Sequence, residues 1–189
     1  KATLKTNVDA SIAEWASKWP VYEWDVINET LSNFRIQNLL GDGEMAEWFK
    51  IGAANVVLPN CNLLLNEFQI ISANSQTSGS QGYQNRSTRF KANIDRILAD
   101  GGPLNKIGFQ SRFKFEHPDP AIIYNRLEDF DSTYGLMMTG TEFEIRDNTS
   151  GPFRYDFTEL ERAQITEEML TTYYSHPGVD GLFAWTYMK

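Results

Sequence analysis

Two spacings of apolar residues alternate along this 189-residue chain. Short apolar runs at Tyr22–Ile27, Asn62–Leu65, Ile107–Gln110, Gly135–Met138 and Gly181–Trp185 are each bounded by polar or turn-forming residues and predict five strands. Between them, Phe90, Ile94, Ile97 and Leu98, or Ile122, Ile123, Leu127 and Phe130, recur at helical spacing. Thr158 and Glu161 have the S/T-x-x-E spacing of a capping box, which opens a helix. That helix is expected to end near His176-Pro177-Gly178, where proline cannot continue it and glycine permits the turn into the last strand. Alternating strands and helices predict an α/β fold with a parallel sheet. Two stretches, Ser72–Gln84 and Asp147–Pro152, lack a period and read as loops leaving strand C-terminal ends, where such folds place their sites. With no repeat or linker in between, residues 1–189 read as one layered domain.

Composition narrows the class. The chain is 41% hydrophobic and 22% charged, ordinary for a soluble globular protein. Its 25 acidic residues against 17 Lys and Arg give a formal charge of −8, which argues against nucleic acid as a partner. One cysteine, Cys61, allows no intrachain disulfide, and two histidines, His117 and His176, make no zinc motif, so no metal is expected. No apolar run approaches the roughly 20 residues that cross a bilayer, so no membrane partner is expected either.

The residues that stand out chemically are Glu29, closing Trp24-Asp25-Val26-Ile27-Asn28-Glu29, and Glu142, in Met138-Thr139-Gly140-Thr141-Glu142-Phe143-Glu144. Both are read as lying at strand ends. Cleavage of a glycosidic bond needs one carboxylic acid to protonate the leaving oxygen and one carboxylate on the other side of the sugar. The commoner use of a strand-end glutamate is to cap a helix or face water, and spacing alone does not decide between the two. Gly41-Asp42-Gly43-Glu44-Met45-Ala46 also matches a dinucleotide-binding pattern, but no strand precedes it closely and its two acids would repel a pyrophosphate.

Several segments together resemble glycoside hydrolase family 10, the endo-β-1,4-xylanases. WDVINE resembles the family's WDVVNE at its fourth barrel strand. Leu65-Asn66-Glu67-Phe68-Gln69 resembles its N-D/E-Y-N, Ile107-Gly108-Phe109-Gln110-Ser111 its I-G-L-Q-S/G, and Gly140-Thr141-Glu142-Phe143-Glu144 its I-T-E-L-D. His176-Pro177-Gly178-Val179-Asp180-Gly181 with Ala184-Trp185 is similar to its H-P-x-V-x-G connection and eighth strand. The resemblance implies a partial (β/α)8 TIM barrel corresponding to strands 4 to 8, entered through a helix over Lys1–Lys18 with Val8, Ile12 and Trp15 on one side. It further implies Glu29 as general acid/base and Glu142 as nucleophile of a retaining mechanism, their carboxyls about 5–5.5 Å apart. Asn28 matches a sugar-binding asparagine, Gln110 a cleft-lining glutamine, and Trp185 an aromatic sugar platform, with plain barrel core as the alternative for Trp185. No cofactor is called for.

One departure falls at the centre of the site. The family's sixth strand offers a histidine where this chain has Arg112, and Glu144 replaces the aspartate that holds that histidine. Period-two alternation puts Glu142 and Glu144 on one face, so Arg112 is expected between two carboxylates, supporting the nucleophile by keeping Glu142 ionised while lowering its basicity. The alternative is an arginine paired locally at the surface. Gln69 and Phe68 are milder departures.

A full barrel takes about 250 residues, so the N-terminal half is missing from this chain and is expected in the same parent polypeptide. The function implied is cleavage of internal bonds in xylan or a related β-1,4-glycan, outside the cell because the polymer cannot enter it. The rival readings are a catalytically inactive carbohydrate-binding relative of the same fold and, from another class, a doubly wound domain binding a small anion.

Overall fold

The computed structural model describes residues 1–73, 81–114, 116–149 and 155–185. All five apolar runs contribute to strands: β1 (Glu23–Asn28), β2 (Asn62–Phe68), β3 (Lys106–Gln110), β5 (Met137–Ile145) and β6 (Val179–Ala184). A further strand, β4 (Arg112–Phe113), is too short to leave a period in the sequence. Helices α1 (Ala2–Ala16), α2 (Arg35–Leu40), α3 (Glu44–Asn55), α4 (Gln81–Ala99), α5 (Pro120–Tyr134) and α6 (Glu159–Ser175) complete the order. β5 runs well past the expected Met138 and carries Glu142 inside it, not at its end. Polar residues hid that extension, because the ladder bonds to its neighbours outweigh the side chains' weak strand preference.

The chain forms two compact units, Lys1–Glu67 with Thr88–Ile107, and Phe68–Ser87 with Gly108–Lys189. In the first, β1 and β2 pair in parallel, Glu23 opposite Asn62 and Asn28 opposite Asn66, with a bulge between Asp25 and Ile27. Leu63, Leu64, Leu65, Phe49, Phe90, Ile94 and Ile97 are buried, whereas Leu98, expected with them, is partly exposed at the helix surface. Helix α3 lies against β1 at Gly52, where a Cβ would stand 2.8 Å from the Trp24 ring. The buried ammonium of Lys106 pairs with Glu23, satisfying a charge that would otherwise be costly to bury.

In the second unit β5 has parallel partners on both sides, β4 with Arg112 opposite Glu144, and β6 with Met138 opposite Val179. Ile122, Ile123, Leu127 and Phe130 of α5 are buried as their spacing predicts. The ring of Phe130 meets Phe109 edge-on at 5.0 Å. The Tyr173 hydroxyl of α6 donates to Ser111 Oγ at 2.7 Å, and burial pushes its phenol up. Gly140 makes that approach possible, since a Cβ there would meet Leu182, Ser111 Oγ at 3.0 Å and the Tyr173 ring at 3.1 Å. The expected capping box forms, with Glu161 N–H donating to Thr158 Oγ1 at 3.2 Å and Thr158 N–H to the Glu161 carboxylate at 2.8 Å.

Other expectations need correction. The first helix spans Ala2–Ala16, slightly shorter than the expected Lys1–Lys18, and Trp15 near its end is 54% exposed. Part of the Ser72–Gln84 loop is helix, because α4 begins at Gln81; residues 74–80 lie outside the described residues. Asn148 pairs with Tyr155 in an antiparallel bridge, and of the Asp147–Pro152 loop residues 150–152 lie outside the described residues. One expectation needs no correction: Gly41 caps α2 and Glu44 opens α3, so helix, not strand, precedes the dinucleotide-like pattern, as the sequence implies.

Candidate active site

Asn28 and Glu29 belong to the first unit. Asn28 is the last residue of β1, and Glu29 follows it with φ +61°, a left-handed conformation rare for a residue with a side chain. Three sets of bonds hold it there. Glu29 N–H donates to Asn66 O at 2.9 Å, its carbonyl accepts the Asn33 N–H at 2.8 Å, and its carboxylate accepts Asn33 Nδ2 at 2.9 Å. The next turn hangs on Glu67, a carboxylate with 0% exposure that accepts Leu31 N–H at 2.8 Å and the Thr30 hydroxyl at 3.4 Å. Asn93 Nδ2 in turn donates to Thr30 Oγ1 at 3.0 Å, and Arg89 to Leu31 O at 3.3 Å. The role of Glu67 was missed in the sequence, although an acid after three leucines in a strand is a signal, because an acid is seldom buried without donors to satisfy it.

Gln110, Arg112, Glu142, Glu144 and Trp185 belong to the second unit. Gln110 is buried at the end of β3. Glu142 is 9% exposed, and its Oε2 is 2.6 Å from Arg112 Nη2. The same guanidinium stacks on the Trp185 ring, 4.1 Å from its centroid. Trp185 is 51% exposed in this chain. Its backbone N–H donates to Phe143 O at 3.0 Å, which seats its main chain beside β5 at the residue following Glu142.

Arg112 does not bridge two carboxylates as expected. It stands opposite Glu144 in the ladder yet pairs with Glu142, and Glu144 lies 3.5 Å from Arg146 Nη1 instead. Arg146 shares the alternating face of Glu142 and Glu144 and competes for the second carboxylate, a rival the period-two argument did not include. Arg112 Nε and Glu144 Oε2 are both buried without a hydrogen-bond partner. Lys114 completes this charged face, its ammonium pushed down by burial and by repulsion from Arg146 and Arg112.

Among the described residues one group could approach a metal ion, Glu128, Asp131 and His176. The tautomer argues against it. His176 Nδ1 accepts the Gly178 N–H at 3.1 Å, so the ring proton sits on Nε2, where a metal would need a lone pair, and Glu128 Oε2 lies 3.3 Å away without a formed hydrogen bond. Nor is any helix among the described residues long and apolar enough to cross a membrane.

Comparison with known proteins bears on the family and the fold. The chain is 27% identical over 194 residues to an endo-1,4-beta-xylanase D of Talaromyces funiculosus, covering 98% of this chain and 43% of that protein. It is 25% identical over 191 residues to endo-1,4-beta-xylanase 2 of Arabidopsis thaliana, covering 16% of that protein. The fold superposes on xylanase 10B of Thermotoga petrophila, solved in complex with xylobiose, with a TM-score of 0.71 and 19% identity, over 97% of this chain and 53% of that one. The chain thus spans about half or less of the length of these relatives, and its parallel strands with interleaved helices are part of a (β/α)8 barrel. The family model for glycosyl hydrolase family 10 matches residues 1–189, and the chain belongs to that family.

Proposed function

We propose that the polypeptide carrying this chain hydrolyses internal β-1,4 bonds of xylan or a related β-1,4-glycan with retention of configuration. Residues 1–189 are part of its single catalytic barrel domain, and an N-terminal half in the same polypeptide completes the barrel. In the first step the Glu142 carboxylate attacks the anomeric carbon while Glu29, as the acid, gives its proton to the departing glycosidic oxygen. In the second, Glu29, now the base, takes a proton from water, whose oxygen displaces Glu142. Asn28 and Gln110 bind sugar hydroxyls, Trp185 offers an aromatic face, and Arg112 and Glu144 support the nucleophile. No cofactor takes part, and the polymer places the reaction outside the cell.

The observation that carries this reading is the ion pair at Glu142. A carboxylate buried on a strand and held 2.6 Å from a guanidinium stays ionised, which is the state a nucleophile needs. The test is reducing-sugar release from xylan by the full-length polypeptide. Glu142→Gln is expected to abolish it, and Glu29→Gln to slow substrates with poor leaving groups far more than activated aryl xylosides, which need no acid assistance. Full activity of both variants refutes the assignment.

The same ion pair supports a second reading. A guanidinium on the nucleophile lowers its basicity, and in a catalytically inactive carbohydrate-binding relative that pair has replaced turnover. Retardation of the polypeptide in a xylan gel with no product released identifies this case.

A further inference from the structure

Each of three neighbouring strands contributes to one contact chain. Arg112 comes from β4, Glu142 from β5 between the others, and Trp185 follows directly on β6. Arg112 reaches over β5, bonds Glu142 Oε2 at 2.6 Å, and ends with its guanidinium stacked on the Trp185 ring at 4.1 Å. Its Nε is buried without an acceptor, so the orientation of the fork is set by the carboxylate at one end and the ring against its plane. The main chain of Trp185 is held by its backbone N–H bond to Phe143 O.

We infer that Trp185 is a positioning residue for the nucleophile, acting through Arg112, in addition to any contact it makes with sugar. The inference rests on Glu142 being the nucleophile. Its physical content is that a cation over an indole face is attracted by the ring's quadrupole, which restricts a long side chain that otherwise has many rotamers. Removing the ring leaves the guanidinium free to leave Glu142 or to swing toward Glu144, and the attacking carboxylate loses its fixed orientation. A misplaced nucleophile slows the chemical step, whereas loss of a sugar platform weakens binding alone. One face of the ring is taken by Arg112 and the residue is half exposed, so sugar stacked on the other face presses on the same contact chain.

The test uses the full-length polypeptide and an aryl xyloside, with Trp185→Phe, Trp185→Leu, Arg112→Met and the double variant Trp185→Leu with Arg112→Met. Trp185→Leu is expected to lower kcat about 5- to 30-fold, the range of a partly desolvated cation–π contact, and Trp185→Phe to restore most of it. In the Arg112→Met background the tryptophan substitution should cost little more, because the link is already cut. A rise in KM with kcat unchanged, or full additivity of the two substitutions, overturns the inference. Thermal unfolding of each variant separates misfolding from misplacement, and Trp185→Phe keeps the test open should Trp185→Leu not fold. The underlying assignment fails separately, if Glu142→Gln keeps its activity in the same assay.

Discussion

At the scale of single residues, Glu29 pays for its place with backbone strain. A left-handed φ of +61° costs a non-glycine residue on the order of 1–3 kcal/mol and persists only where surrounding bonds impose it. Those bonds are local to the first unit, and Glu67 is central among them because it accepts two donors from the turn after Glu29 while fully buried. Glu67→Ala therefore leaves the Leu31 N–H without its acceptor, at an expected loss of about 1–3 kcal/mol in urea unfolding. Under the proposed mechanism it should also reduce kcat, since the turn that carries Glu29 loosens. Unchanged stability with unchanged turnover shows that the clamp is dispensable. Gln69 sits in the same conformation, φ +50°, directly after β2. There Arg86 donates to Phe68 O at 2.7 Å and stacks on the Phe68 ring at 4.2 Å.

At the scale of elements, α6 shows how much local chemistry decides. Its capping box satisfies N–H groups that have no partner inside the helix, so Thr158→Ala should cost about 1 kcal/mol by thermal or denaturant unfolding. Ahead of α6, the Phe157 N–H and then Arg162 hold the Asp147 carboxyl below its ordinary 3.8. A carboxyl held low in the folded state adds stability above its unfolded value and loses it as pH falls through the folded one. Asp147→Asn should therefore destabilise the protein near neutrality and flatten its stability profile below about pH 4. A parallel shift of the whole profile contradicts that origin. The element the sequence described least well, β5, is also the one that carries Glu142. Its polar residues break the apolar period, and pairing with neighbouring strands, β4 and β6 among them, makes it a strand of full length.

At the scale of the molecule, large apolar side chains remain at the surface of both units. Trp15, Trp19 and Tyr22 are exposed in the first, and Leu160, Phe183 and Trp185 in the second. Within its own unit, β1 has β2 for a ladder partner and β6 has β5. Unpaired strand edges beside exposed aromatics promote association. The isolated chain is expected to self-associate and to unfold with low cooperativity, by light scattering and calorimetry. Joining it to an N-terminal half-barrel should raise its melting temperature and keep it monomeric. A monomeric, sharply cooperative transition of residues 1–189 alone would contradict this expectation.

The one-dimensional pattern by itself determined the alternation of the five longer strands with helices, the cap of α6, and the family, because these depend on neighbours a few residues apart or on motifs read in line. It also marked Glu29 and Glu142 as the acids to watch. Partner choice belonged to the tertiary structure. That Arg112 takes Glu142 and leaves Glu144 to Arg146, that Glu67 reaches back to hold the turn after Glu29, and that Trp185 lies against a guanidinium are outcomes of which side chains meet across strands. Charged groups buried near several possible partners settle by distance and by competition for donors, and neither quantity is written in the spacing of residues along a chain.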